Sequence, residues 1–228
     1  MRLALFDLDH TLIPLDSDYA WGEFTVSLGW RDAQGFSQSN AGFYADYKAG
    51  TLDIHHYVRF AIEAVREHGM AVSQKAHERF MREVIEPAMH EPARALLRRH
   101  QAAGDTVVIV TATNEFVTRP IARAFGVDEL IAIELERDAR GEPTGAIRGT
   151  PSFREGKIAR VEQWLAARGL DWSRVQHSTF YSDSINDLPL LEHVTHPVAV
   201  DPDARLEAHA RSRGWPSISL RAPPAGER

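Results

Sequence analysis

The run RLALF at residues 2–6 is a strand with no other strand near it in the sequence. Four apolar residues in succession, followed by turn and cap residues, read as a short buried strand. From about Asp18 to Glu83 the pattern changes. Segments such as YAWGEFTVSLGW and IHHYVRFAIEAVREHG carry apolar residues at helical spacing and few β-like runs. Strands return only after Pro87 and Pro92. A lone strand cannot cover its own faces, so RLALF has to join a sheet made from residues beyond 90, across the helical stretch.

That later region alternates regularly. ARALLRRHQAAG reads as a helix stopped at Gly104, TVVIVT as a strand, and NEFVTRPIARAFG as a helix ended by Gly126. LIAIELE reads as a strand, ARGEPTGAI as a hairpin or flap, and REGKIARVEQWLAARG as an amphipathic helix closed by Gly169. STFYSDS and HPVAV are strands around the short helix SINDLPLLEH; DARLEAHARSRG is a helix and WPSISL a last edge strand. Strands alternating with helices imply βαβ units and a mainly parallel sheet flanked by helices, an α/β fold. The expected organisation is a core from 1–15 and 89–220, a helical insertion at 16–88, and a disordered tail, RAPPAGER, at 221–228.

Composition narrows the partners. A net charge of −6 supplies no basic field for nucleic acid, and none is expected as a partner. The absence of cysteine removes disulfides, thiolate chemistry and Cys-based zinc sites, and fits a reducing cytoplasm. No run approaches the roughly 18 apolar residues of a membrane span, and Asp7 and Asp9 interrupt any signal-peptide core. A soluble, cytoplasmic protein is expected.

In open α/β sheets ligands sit at the carboxyl ends of strands. RLALF ends in Asp7 and Asp9; TVVIV ends in Thr111, followed by Thr113 and Asn114; STFYS ends in Asp183, followed by Asn186 and Asp187. One aspartate after a strand is an ordinary cap. Two, at i and i+2, point to the same side of extended backbone and repel each other unless something compensates them. If both are ionised they need a cation, and all-oxygen ligands suit Mg²⁺, with Asp183 as a further ligand that leaves room for water and a phosphate. Asn186 and Asp187 alone would be helix caps, Thr111 an ordinary strand residue and Lys157 a solvated helix lysine. Their order and placement together are not ordinary.

These residues resemble the motifs of the haloacid dehalogenase-like hydrolase superfamily. Asp7-Leu8-Asp9-His10-Thr11 matches DxDxT after a strand, Thr111 in VVIVTAT the strand-end Ser or Thr, Lys157 in EGK the basic residue, and SDSINDLPLL with Asp183 and Asp187 the acidic cluster. The resemblance implies a Rossmann-like core with a helical C1 cap inserted after the first strand. It implies Asp7 as nucleophile forming an aspartyl-phosphate, and Asp9 as general acid and then base. Mg²⁺ would be held by Asp7, the Asp9 backbone carbonyl and Asp183. Thr111, Lys157 and Asn186 would bind phosphate, and Asp187 would support the metal or Lys157. An aspartate at position 9 points to phosphatases rather than dehalogenases or ion-pumping ATPases.

The pattern is most similar to the phosphoserine phosphatase-like branch, in which an acidic residue at the mouth of the cap and a cap arginine hold the substrate's amino and carboxylate groups. Asp16 and Arg59 stand at comparable positions, and His10 sits among the motif residues, between Asp9 and Thr11, where it would orient or contact the leaving group. VTATN in place of Ser-Gly-Gly and YSDSIND in place of Gly-Asp-Gly depart from that branch. An amino-alcohol phosphate such as histidinol phosphate would use Asp16 without Arg59. His55 and His56 are adjacent, cannot share a helix face, and read as surface residues. The expected function is a Mg²⁺-dependent phosphomonoesterase acting on a small phosphorylated metabolite. A phosphotransferase using the same intermediate and a non-catalytic binding protein are the alternatives.

Overall fold

The computed structural model describes residues 1–221; residues 222–228, nearly all of the expected tail, lie outside the described residues. Strand β1 (Arg2–Phe6) is followed by a helical segment: α1 (Ser17–Ser27), α2 (Ala33–Ala49), α3 (Ile54–Ala61), α4 (Glu63–His68) and α5 (Met70–Phe80). A π-helical turn over Met81–Ile85 carries α5 into the single turn α6 (Glu86–Ala88). Asp16, Asp32 and Asp53 cap α1, α2 and α3 by accepting hydrogen bonds from backbone N–H groups of the first turn. Then come α7 (Glu91–Ala102), β2 (Thr106–Asn114), α8 (Glu115–Ala124), β3 (Glu129–Ile133), β4 (Leu135–Arg137), β5 (Pro143–Ile147) and α9 (Glu155–Ala166). They are followed by β6 (His177–Ser182), α10 (Leu188–His193), β7 (His196–Val200), α11 (Ala204–Arg213) and β8 (Ser217–Ile218).

Six strands form one sheet in the order β3-β2-β1-β6-β7-β8, every neighbouring pair parallel. β1 lies at the middle, with Leu3 registered against Thr106 of β2 on one side and Ser178 of β6 on the other. Chain order runs outward in both directions from β1, so β1 marks the topological switch point of a doubly wound α/β sheet. Its alternation serves two cores. Ala4 and Phe6 pack with Trp21, Phe80, Leu97 and Phe116 on one face; Leu3 and Leu5 pack with Val161, Leu165, Leu190 and Leu206 on the other. No described helix is long and apolar enough to cross a membrane.

One expected strand is divided. LIAIELE breaks at Glu134: β3 stays in the parallel sheet, while β4 pairs antiparallel with β5 in a separate hairpin. Glu134 turns out of the ladder because its carboxylate meets Arg148 and Arg160, both at 2.5 Å, and its carbonyl accepts from Arg148 N. The hairpin leans on the helical segment, where Glu142 accepts from Met70 N at 2.8 Å and so caps α5.

Candidate active site

The chain leaves β1 through a tight turn. The Leu8 carbonyl accepts from the backbone N–H of Thr11, Leu12 and Ile13, and His10 takes a left-handed φ of 57° with its side chain exposed. Asp7 N still donates to the Tyr181 carbonyl at 2.9 Å, which fixes Asp7 against β6.

Around Asp7 lies a buried network. Lys157, in the first turn of α9 and only 2% exposed, donates to Asp7 Oδ1 at 2.8 Å and to the Asp187 carboxylate at 2.7 Å. Ser182 Oγ also donates to Asp187, at 2.7 Å. The Thr11 hydroxyl stands 3.1 Å from Asp183 Oδ1 and 3.5 Å from Asp7 Oδ2, so these two carboxylates face one small space. Burial first, and then the Asp187 charge, push the Asp7 carboxyl up despite Lys157; burial, Asp7 and Asp187 do the same to Asp183. Burial works to lower the Lys157 ammonium, but Asp187 and Asp7 outweigh it and hold it charged.

Asp9 is held separately. Its Oδ1 accepts from Ser17 N at 3.0 Å and its Oδ2 from Thr113 Oγ1 at 2.7 Å. Burial, then the charge of Asp16, raise its pKa from 3.8 to about 7, against those two hydrogen bonds. Thr113 N in turn donates to the buried Thr111 Oγ1 at 3.1 Å, which leaves the Thr111 hydroxyl proton uncommitted among the described residues. Beside them Asp18 is buried. Asn114 Nδ2 donates to its Oδ1 at 2.8 Å, and burial and the Asp16 and Asp9 charges hold its carboxyl well above the usual range.

The structure thus brings Asp7, Asp183, Asp187 and Lys157 into one network and sets Asp9 and Thr111 beside it through Thr113. Asn186 follows Asp183 in a short 3-10 turn, its N–H on Ser184 Oγ. Asp16 caps α1 with its charge toward Asp9. Arg59 is elsewhere. On α3 it is two residues, about 200° of helix, from Tyr57. Tyr57 feels the charges of Asp18, Asp16 and Asp9. Arg59 instead lines a groove of about 480 Å³ with Gln38, Asp46, His56 and Glu63, and makes no hydrogen bond or ion pair among the described residues. His55 and His56 are exposed. Roles for Thr11, Ser17, Asp18, Ser182 and Thr113 were not evident from the sequence. The i, i+2 logic that paired Asp7 with Asp9 would also have paired Thr111 with Thr113.

Lys157 owes its place to Gly156. A Cβ there would stand 2.1 Å from the Pro151 carbonyl oxygen, a backbone atom that cannot swing aside. Gly156→Ala should therefore destabilise the protein by about 1–3 kcal/mol, read from its thermal midpoint, and disturb Lys157 with it.

The donor set fits Mg²⁺. Asp7 and Asp187 share one ammonium, Asp183 stands beside Asp7 across the Thr11 hydroxyl with no cation of its own among the described residues, and hard carboxylate oxygens are what Mg²⁺ takes. No group of three His, Cys, Asp or Glu side chains converges as a metal cage among the described residues. One or two carboxylates completed by water and substrate phosphate is the usual Mg²⁺ arrangement.

The profile of haloacid dehalogenase-like hydrolases matches residues 4–192. The chain belongs to that family. Among its relatives is the histidinol-phosphatase of Neisseria meningitidis serogroup C (strain 8013), 42% identical over 96% of this chain and 99% of that protein. The crystal structure of a protein of unknown function from Bordetella pertussis Tohama I superposes with a TM-score of 0.91 at 48% identity, covering 96% of this chain and 99% of that one. A phosphoserine phosphatase structure holding a phospho-aspartyl intermediate analogue shares the fold, with a TM-score of 0.67 at 16% identity, over 96% and 93% of the two chains.

Proposed function

We propose that the protein is a Mg²⁺-dependent phosphomonoesterase working through an aspartyl-phosphate on Asp7. The observation that carries this reading is the division of labour between Asp7 and Asp9. One carboxylate is held against an ammonium that neutralises an incoming anion; the other is poised near neutrality to give and take a proton. In the first step an Asp7 carboxylate oxygen bonds to phosphorus as the ester P–O bond breaks, and Asp9 hands its proton to the departing alkoxide. In the second, Asp9 as carboxylate takes a proton from water as that water attacks phosphorus, releasing inorganic phosphate and restoring Asp7. Lys157 retains a third N–H, and Thr111 a hydroxyl proton, for the phosphate oxygens. Asp7, Asp183 and the Asp9 carbonyl would hold Mg²⁺, which when bound would supply the charge neutralisation that lets one anion attack another. Residues 16–88 are read as a cap over this site.

For the substrate, the reading is an amino-alcohol phosphate of the histidinol phosphate kind. The name of the Neisseria relative supports it, and so does the charge on the cap side. The charge of Asp16 raises both Asp9 and Asp18, and Asp9 raises Asp18 further, with no cation between them among the described residues, a setting for a substrate ammonium. Arg59 faces away from them, so a substrate carboxylate has no cap arginine to meet. Asp16→Asn keeps a good helix cap while removing the charge, and should lower kcat/KM on histidinol phosphate by about 10- to 100-fold. Arg59→Ala should leave it within about twofold, as a solvated side chain would.

The test is phosphate release from histidinol phosphate, phosphoserine and p-nitrophenyl phosphate, with Mg²⁺ or EDTA, and with acceptor alcohols added. Release that needs Mg²⁺ and ranks histidinol phosphate first supports the reading. Phosphoserine ranked first would return Arg59 to the site. Phosphate appearing only on added alcohols would make the protein a phosphotransferase, and no turnover at all in a folded, Mg²⁺-loaded protein would remove the hydrolase reading.

A further inference from the structure

The network behind Asp7 does not stop at Asp187. Lys157 joins Asp7 to Asp187, Asp187 accepts from Ser182 Oγ, and Ser182 Oγ accepts from Ser184 N at 3.2 Å. Ser184 Oγ then lies 2.9 Å from the hydroxyl of Tyr47, a residue 137 positions earlier in the chain and in the last turn of α2. The bonds therefore run without a break from the helical segment to the nucleophile. Asn186 faces the same phenol, whose pKa burial pushes up, so the hydroxyl stays neutral across the working range.

A second contact seats the same end of α2. Gly50 closes the helix at φ 78°, and Arg154 Nη2 comes within 3.1 Å of where a Cβ would stand there. Arg154 is itself left-handed at φ 51° and lies over the Phe153 ring, which is 6.4 Å from the ring of Tyr47. Residues 153–154 lead directly into α9, which carries Lys157. The end of α2 therefore rests on both loops that hold the Lys157–Asp187 pair.

We propose that Tyr47 is a positioning residue: by bonding Ser184 it makes the correct placement of the 182–187 loop, and through it Lys157, depend on α2 being seated on the sheet. It reaches the reacting atoms only at a remove, through Ser184, Ser182, Asp187 and Lys157, and through Asn186. Specificity follows for size. A phosphomonoester small enough to lie beneath α2 meets a completed phosphate site, whereas a bulky one that props α2 away meets a slack one. This rests on the phosphomonoesterase reading above.

The experiment compares Tyr47→Phe, Ser184→Ala and the double variant with wild type. It uses steady-state kinetics on histidinol phosphate, thermal midpoints, and hydrogen exchange of the Mg²⁺-loaded protein. Loss of one neutral hydrogen bond should raise KM by about 2- to 10-fold, with kcat within about twofold and the thermal midpoint little changed. The double variant should be no worse than the worse single one, because both remove the same bond. Exchange should accelerate together in 43–50 and 182–187. A lowered midpoint with unchanged KM, or effects that multiply in the double variant, would overturn the proposal. The exchange arm is independent of turnover. If wild type hydrolyses no ester, the functional reading falls while linked exchange still upholds the coupling; unlinked exchange sinks the coupling whatever the activity.

Discussion

Asp7→Asn should remove phosphate release by a factor of about 10⁴ or more in a protein no less stable than wild type. The amide keeps the volume of the carboxylate and an oxygen for the Lys157 N–H, but it cannot attack phosphorus. Stability moves the other way because burial and Asp187 raise the Asp7 pKa from 3.8 in the folded protein, with Lys157 opposing. A raised carboxyl contributes stability below its unfolded pKa, and that contribution is lost as pH climbs through the folded value. At pH 8 without Mg²⁺ the wild-type protein therefore carries a buried charge that the variant lacks. The expected measurement is a thermal midpoint at pH 8 equal to or above wild type, with the difference vanishing near pH 4 and shrinking when Mg²⁺ is added to wild type. A folded Asp7→Asn protein that kept more than about 1% of activity, against the loss expected for a nucleophile, would remove Asp7 from that role.

Lys157→Met carries the opposite sign. Methionine fills much of the same volume, but Asp7 and Asp187 lose the ammonium that lies 2.8 and 2.7 Å away. Breaking a buried pair by deleting one partner costs about 3–5 kcal/mol, since the surviving charge stays desolvated. Without its cation the Asp7 pKa rises further, so the penalty is largest at high pH and recedes as acid protonates the carboxyl. Guanidinium titrations at pH 8 and pH 5 should show the loss mainly at pH 8. Phosphate release should fall as well, since the third N–H of Lys157 goes with it. A penalty that was small or independent of pH would mean that Lys157 is not the counterion of these carboxylates.

Much of the candidate active-site edge was legible because the relevant signals are local. RLALF, TVVIV and STFYS are short apolar runs whose ends can be counted, and strand ends are where an α/β sheet presents its ligand-binding residues. The split of LIAIELE was hidden because Glu134 leaves the ladder for Arg148 and Arg160, partners 14 and 26 positions later. Tyr47 was hidden for the same reason: nothing in QSNAGFYADYKAG says that one tyrosine of α2 will meet a serine 137 residues on. Arg59 is different. Its helix and its exposure follow from the pattern, but the side it presents depends on how α3 rotates against Asp18, and that is set by Tyr57 and the buried Val58.

The central position of β1 bears on how the molecule is made. Of the six strands of the sheet, β1 leaves the ribosome first and needs two neighbours, which in sequence begin at Thr106 and His177. Helices α1 to α5 can form from local contacts while β1 waits. Pairing over such separations is slow, and an unpaired apolar strand is sticky during the wait. On the proposed reading, Asp7 and its proton shuttle Asp9 emerge early but stay without the ammonium, the second carboxylate that would hold Mg²⁺ and the hydroxyl that orients Asp9 until Lys157, Asp183 and Thr113 have been synthesised. A nascent or truncated chain ending before Asp183 would hold Asp7 and Asp9 and yet, on that reading, have no hydrolytic competence.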